Sequence, residues 1–251
     1  MNRKIKILED SESLARFAAE EIITRAGEAI AAHGFFSLCL SGGSTPRILH
    51  RLLAGDPDLR QRMPWSQTYF FFGDERFVPH NHEDSNYRMA CETLFVPAEI
   101  PDDHVVAIPT QPQEPAAAAR EYERKIRTFF ESRGLLRNGI ARFDLILLGM
   151  GPDGHTASLF PDSEALYKSV PWVTDNWVEK FQTHRITLTF PVLNNAATVM
   201  FLVAGQDKAT VLKEVLSGQG DPLYPCMRVD PEQGDLIWAI DKAAASAIKA
   251  S

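Results

Sequence analysis

The chain is poor in cysteine. It has three in 251 residues, Cys39, Cys91 and Cys226, and no CxxC pair. Their spacing gives no zinc-ligand pattern and fits free core thiols in a reducing compartment. Long apolar runs are also missing. No stretch approaches the ~18 apolar residues of a membrane-spanning helix, and the charged segment Met1 to Asp10 has no apolar signal core. A cytoplasmic protein with no membrane partner is expected. Polybasic blocks are absent and the formal net charge is −7, which argues against a nucleic-acid partner. The glycine-containing stretch Ser41–Pro46 is neither a GxGxxG nor a P-loop lysine motif, so nucleotide binding is not indicated there. No GxSxG elbow occurs either, so a covalent acyl mechanism is not suggested.

What is present points to an α/β fold. Hydrophobic residues are 45% of the chain and charged residues 24%, enough apolar material for a sizeable core. Strand signals fall at Lys4–Leu8, Phe35–Leu40, Thr68–Phe72, Val105–Ile108, Phe143–Leu148, Arg185–Thr189, Thr198–Ala204 and Leu236–Ile240. Helix signals lie between them. One runs from Ser11, a suitable N-cap, to His33, with Gly34 as its stop. Others run from Pro46 to Leu53, Asp84 to Phe95, Glu114 to Arg133 and Asp207 to Leu216, and an Ala-rich tail helix starts at Asp241. This alternation predicts a Rossmann-like, doubly wound, mostly parallel sheet flanked by helices. Loops are expected at Pro109–Pro115 and Pro222–Pro231. Neither has the length or composition of a linker, and there is no internal repeat. A single domain over residues 1–251 is therefore expected, with oligomeric state left open and a monomer compatible with it.

Four segments carry candidate chemistry. Ser41-Gly42-Gly43-Ser44-Thr45-Pro46 links a strand to a helix. Such a stretch suits either a tight turn with a hydroxyl N-cap or an anion cradle at a helix N-terminus. Asp74-Glu75-Arg76 follows the strand ending at Phe72. It reads as a solvated charged loop or as a ligand-facing group in which Arg76 neutralises an anion. Gly149-Met150-Gly151-Pro152-Asp153-Gly154-His155 ends the Phe143–Leu148 strand. An imidazole beside a carboxylate there suits general acid–base work at neutral pH, and Gly151 and Gly154 permit the sharp turn. Arg185 and Lys208 are two further cations near strand ends, Lys208 against the helix dipole. An anionic substrate would need such local cations against the negative background. His80 and His82 lack a third nearby ligand, so no metal site is indicated.

As a set, these segments resemble the 6-phosphogluconolactonases within the superfamily of glucosamine-6-phosphate deaminase. The resemblance rests on SGGSTP (41–46), FGDERFVP (72–79), DSNYRMA (84–90), GMGPDGHTASLFP (149–161), RITLTFPVLNNA (185–196) and AGQDKATVL (204–212), in the expected order. It implies hydrolysis of a phosphorylated sugar lactone in the oxidative pentose phosphate pathway, without a redox cofactor or catalytic metal. It further implies that Ser41, Gly42, Gly43, Ser44, Thr45, Arg185 and Lys208 hold the phosphate. His155 would be the base, with Asp153 close by, and Arg76 would face the lactone. Asp74, Glu75, Gly151 and Gly154 would lie near the substrate. The deaminase branch has DGHIAFNEP after its glycine turn, and Phe160 here stands at that glutamate.

Overall fold

A computed structural model describes residues 2–110, 114–218 and 224–248. Parts of both proline-containing loops (111–113 and 222–223) lie outside it. The chain starts with β1 (Asn2–Leu8), α1 (Ser11–His33), β2 (Phe36–Leu40), α2 (Ser44–Gly55), α3 (Pro57–Arg62) and β3 (Thr68–Phe72). Next come the short β4 (Asp74–Arg76), α4 (Asn86–Ala90) and α5 (Pro115–Glu131). A small hairpin, β5 (Leu136–Arg137) and β6 (Ile140–Ala141), precedes β7 (Leu145–Leu148). Then follow β8 (Val173–Val178), β9 (Thr183–Leu188), α6 (Phe190–Leu193), β10 (Thr198–Val203), α7 (Ala209–Ser217) and β11 (Asp235–Asp241).

Six strands form a wholly parallel sheet in the order β3-β2-β7-β10-β11-β1. The strands β2, β7 and β10 bury every side chain, as a sheet covered by helices on both faces requires. From β2 the sheet grows outward to β3; from β7 it grows the other way through β10 and β11. The winding therefore reverses between β2 and β7, and ligand crevices of open α/β sheets lie beyond the carboxyl ends at that point. A second sheet, β4-β9-β8, is antiparallel and pairs Arg76 with Arg185. It stands at the same end, because β4 follows β3 after one residue, Gly73, whose carbonyl accepts from Leu188.

Several elements differ from the expectations. The cap of α1 is Asp10, whose carboxylate accepts from the Ser13 amide at 2.8 Å; Ser11 is already helical. Gly34 stops α1 as expected, at φ +92. The Arg185 strand belongs to the antiparallel sheet, not the parallel one. Val105–Ile108 is not a strand; one residue, Val105, bridges to Phe70. The Asp84–Phe95 helix begins at Asn86, capped by Ser85, and passes into a π-helical turn at Cys91–Phe95. Residues 242–247 form turns, not a tail helix, because the Asp241 carboxylate takes the Ala244 amide at 2.7 Å. Cys39 and Cys226 are buried free thiols, and Cys91 is half-buried and free. Among the described residues no helix is long and apolar enough to cross a membrane.

Candidate active site

The crevice between β2 and β7 is a cavity of about 680 Å³. Residues Ser41, Gly42, Gly43, Ser44 and Thr45 line it where β2 turns into α2. Gly43 has φ +109, a backbone region side chains rarely adopt. Gly42 is needed for space: a Cβ there would lie 1.9 Å from the Asn86 carboxamide oxygen. Asn86 in turn donates to the Asp74 carbonyl at 3.0 Å, so the loop packs against the start of α4. The first turn of α2 leaves amides free of intrahelical partners at the positive end of the helix, which suits an anion.

The β7 strand supplies the imidazole. After Leu148 the chain closes a turn in which Gly154 donates to the Gly151 carbonyl at 3.0 Å and Gly151 to the His155 carbonyl at 2.9 Å. His155 Nδ1 lies 2.5 Å from Asp153 Oδ1. With the Nδ1 proton given to that carboxylate, Nε2 holds the lone pair. Nε2 has no hydrogen-bond partner among the described residues, and His155 lines the cavity. Burial pushes the Asp153 carboxyl up, but the His155 hydrogen bond and charge, with Lys180 3.4 Å away, hold it well below the usual range. Phe160 stacks on the imidazole with ring centroids 4.2 Å apart. Gly151 lines the cavity; Gly154 does not, and its α-carbon, at φ +74, faces the Tyr224 ring instead. Ala157 beside them holds φ +48, a strained conformation of the kind that clusters at functional sites.

The small sheet supplies the charges of β4. Strand alternation turns Asp74 and Arg76 to one face and Glu75 to the other. Asp74 lines the cavity and accepts from the Ser158 hydroxyl at 2.6 Å. Arg76 lines it too and donates to the Asp84 carbonyl at 2.6 Å. Glu75 was expected near substrate, but it is 1% exposed and does not line this cavity. Its carboxylate accepts from the amides of Arg76, Asn86 and Tyr87 and from the Ser85 hydroxyl. Burial pushes its pKa up in spite of those donors. It is a structural cap for α4.

Lys208 reaches the cavity from the turn before α7 and pairs with Asp207. That turn is fixed by Asp241, whose carboxylate accepts the Gly205 amide at 3.1 Å. The resemblance groups Arg185 with the glycine loop and Lys208. Arg185 lines an adjoining cavity of about 520 Å³ that shares Asp74, Arg76, His155 and Ala157 with the first.

Asn86, Ser158 and Asp241 are site-shaping residues the sequence reading missed. Asn86 stands in the DSNYRMA stretch, so that segment held the available signal. His80 donates from Nε2 to the Ile108 carbonyl at 2.8 Å and stacks on Tyr87, while His82 accepts the Asp84 amide at 3.1 Å. Both hold the loop that follows β4. Among the described residues no group of three or more His, Cys, Asp or Glu is arranged around a metal position.

Known proteins share this arrangement. The sequence model of the family described as glucosamine-6-phosphate isomerases/6-phosphogluconolactonase matches residues 9–238. A 6-phosphogluconolactonase of Nostoc sp. is 38% identical over 245 residues, covering 97% of this chain and 98% of its own. One of Synechocystis sp. is 39% identical with the same coverage of both chains. The solved 6-phosphogluconolactonase from Trypanosoma cruzi superposes with a TM-score of 0.84 at 29% identity, covering 100% of this chain and 99% of that one. The chain belongs to the glucosamine-6-phosphate isomerase/6-phosphogluconolactonase family.

Proposed function

We propose that the protein is a 6-phosphogluconolactonase. It hydrolyses 6-phospho-D-glucono-1,5-lactone to 6-phospho-D-gluconate in the cytoplasm, as one domain spanning residues 1–251. One observation carries this reading. A single cavity is lined by the Ser41–Thr45 loop and Lys208, which suit a phosphate, and by Arg76 and by His155, itself held by Asp153 behind it, which suit an ester carbonyl. The names of the relatives support the same chemistry.

In the proposed mechanism the phosphate rests on the amides of the Ser41–Thr45 loop and on the Lys208 ammonium. Asp153 stays ionised and keeps the Nδ1 proton of His155 in place. Nε2 then takes a proton from water as the water oxygen attacks C1. Arg76 offsets the negative charge that develops on the carbonyl oxygen. When the tetrahedral species collapses, the bond from C1 to the ring oxygen breaks and the imidazolium returns its proton to that oxygen. The acid formed at C1 ionises, so one proton leaves to solvent.

A deaminase needs a further proton relay beside the histidine to open its sugar ring. At that place this chain stacks the phenyl ring of Phe160, which carries no proton. A lactone carbonyl is already an electrophile and needs no such relay. The test is turnover of lactone generated in situ from glucose 6-phosphate, followed by a coupled dehydrogenase. His155→Ala should lower kcat ~10²–10⁴-fold. Lys208→Ala should act mainly on KM, raising it about tenfold. A His155→Ala rate within a few-fold of wild type removes the base from the mechanism. Ammonia release from glucosamine 6-phosphate without lactone turnover would establish the deaminase instead.

A further inference from the structure

The adjoining cavity is lined by Arg185, Thr183, Phe181 and Phe160 in addition to the wall it shares with the first. The Arg185 side chain makes no hydrogen bond or ion pair to any described residue, and its buried Nε has no partner. Its guanidinium lies beside the Phe181 ring, 5.4 Å from the centroid. Of the two carboxylates in this lining, Asp74 is engaged by Ser158 and Asp84 is solvent-exposed. Burial and the nearby charge of Arg76 act against the Arg185 cation, while the charges of Asp74, Asp84 and Glu75 partly offset them. A half-buried planar donor fork left without an acceptor is suited to a carboxylate.

The hydrolytic reading above produces one. In the lactone, C1 is neutral and held in a ring. In the product, C1 carries a full negative charge at the end of an extended chain. With the phosphate at the glycine loop and Lys208, and C1 at His155, the open chain grows past His155 and Arg76 toward the adjoining cavity. We propose that this cavity is a carboxylate subsite for the open-chain product and that Arg185 is its anchor, a proposal that rests on the hydrolytic reading.

Calorimetric binding separates this role from phosphate binding. The two ligands are 6-phosphogluconate and glucitol 6-phosphate, which has the same chain and phosphate but no carboxylate. The wild type should bind 6-phosphogluconate about tenfold or more tighter than glucitol 6-phosphate. In Arg185→Gln that preference should fall below twofold, with glucitol 6-phosphate affinity unchanged. Arg185→Lys, which keeps the charge without the fork, should retain part of the preference, and thermal unfolding checks that both variants are folded. Equal weakening of both ligands in Arg185→Gln would make Arg185 a phosphate ligand and overturn the proposal. A wild type with no preference between the ligands would overturn it without recourse to any variant. Failure of the wild type to hydrolyse lactone is read in the separate turnover assay and strikes the hydrolytic reading instead.

Discussion

Gly151 seats the imidazole of His155 against a bare α-carbon. A methyl group there would come within 2.0 Å of Nδ1 and 2.7 Å of the Asp153 carboxylate. The ring would have to move, and a displacement near 1 Å costs roughly 10²-fold in rate when it disturbs a reacting geometry. Gly151→Ala should therefore lower kcat by about 10²-fold while affinity for glucitol 6-phosphate stays within a few-fold of wild type; steady-state kinetics and calorimetry measure the two. A full-rate variant would mean that the turn can yield without disturbing the pair. At this scale the Asp153–His155 pair was legible because its partners lie two residues apart. Ser158 and Asp74 are 84 residues apart and bond only through tertiary structure, so no local pattern announces them. Glu75 was misplaced for a related reason. Three consecutive charges look alike until β4 is known to be a strand, whose alternation turns the middle one inward.

Helix α2 carries a buried histidine just behind the glycine loop. His50 is 1% exposed, with Nδ1 3.2 Å from the Thr93 hydroxyl. Burial, then the charge of Arg47, lowers its pKa from 6.5 to about 3. Above pH 6.5 both the folded and unfolded chains hold it neutral, and its contribution to stability is full. As pH falls below 6.5 the unfolded chain binds a proton that the folded chain refuses. Stability is then lost by up to about 1.4 kcal/mol per pH unit until the pH approaches about 3. His50→Leu should flatten the pH dependence of unfolding by close to one proton between pH 6 and 4, measured by urea titration at each pH. An unchanged slope would exclude His50 as its source. Elements with strong periodicity or end signals, such as α1 with Gly34 and α5 with Pro115, were readable from the sequence. The strand β8, Val-Thr-Asp-Asn-Trp-Val, was not, because it sits in a small sheet where buried and solvent-facing residues do not alternate cleanly. The Ala-rich tail was misread because helix propensity is weak against one carboxylate, Asp241, that ties the Ala244 and Gly205 amides into a turn.

Across the whole molecule, the site is divided between two sheets, and their attachment governs it. Glu123 on α5 accepts the amides of Trp172 and Val173 at 2.8 and 3.3 Å, and it pairs with Arg127, whose guanidinium lies over the Trp172 ring. Glu123→Ala leaves buried amides without an acceptor, at a cost of about 1–3 kcal/mol. The expected outcome is a lower Tm, faster amide exchange in β8 and β9, and a reduced kcat, since β4 carries Arg76. Unaltered exchange in β8 and β9 would show that the small sheet does not depend on this clamp. The doubly wound architecture itself was legible from strand–helix alternation, but the second sheet was not, since the pairing of β4 with β9, more than 100 residues on, leaves no periodic trace. The main sheet also sets an order of events during synthesis. Strand β1 pairs with β11, whose residues 235–241 leave the ribosome more than 220 residues after it. Until then β10 presents an open apolar edge, the kind that templates association with other chains. The turn before Lys208 waits as well, because the Asp241 carboxylate that fixes it belongs to the same late strand. A nascent chain stopped short of β11 thus has the Asp153–His155 pair in its sequence but lacks both the complete sheet and the fixed lysine turn, so the proposed hydrolysis is expected only once β11 has docked.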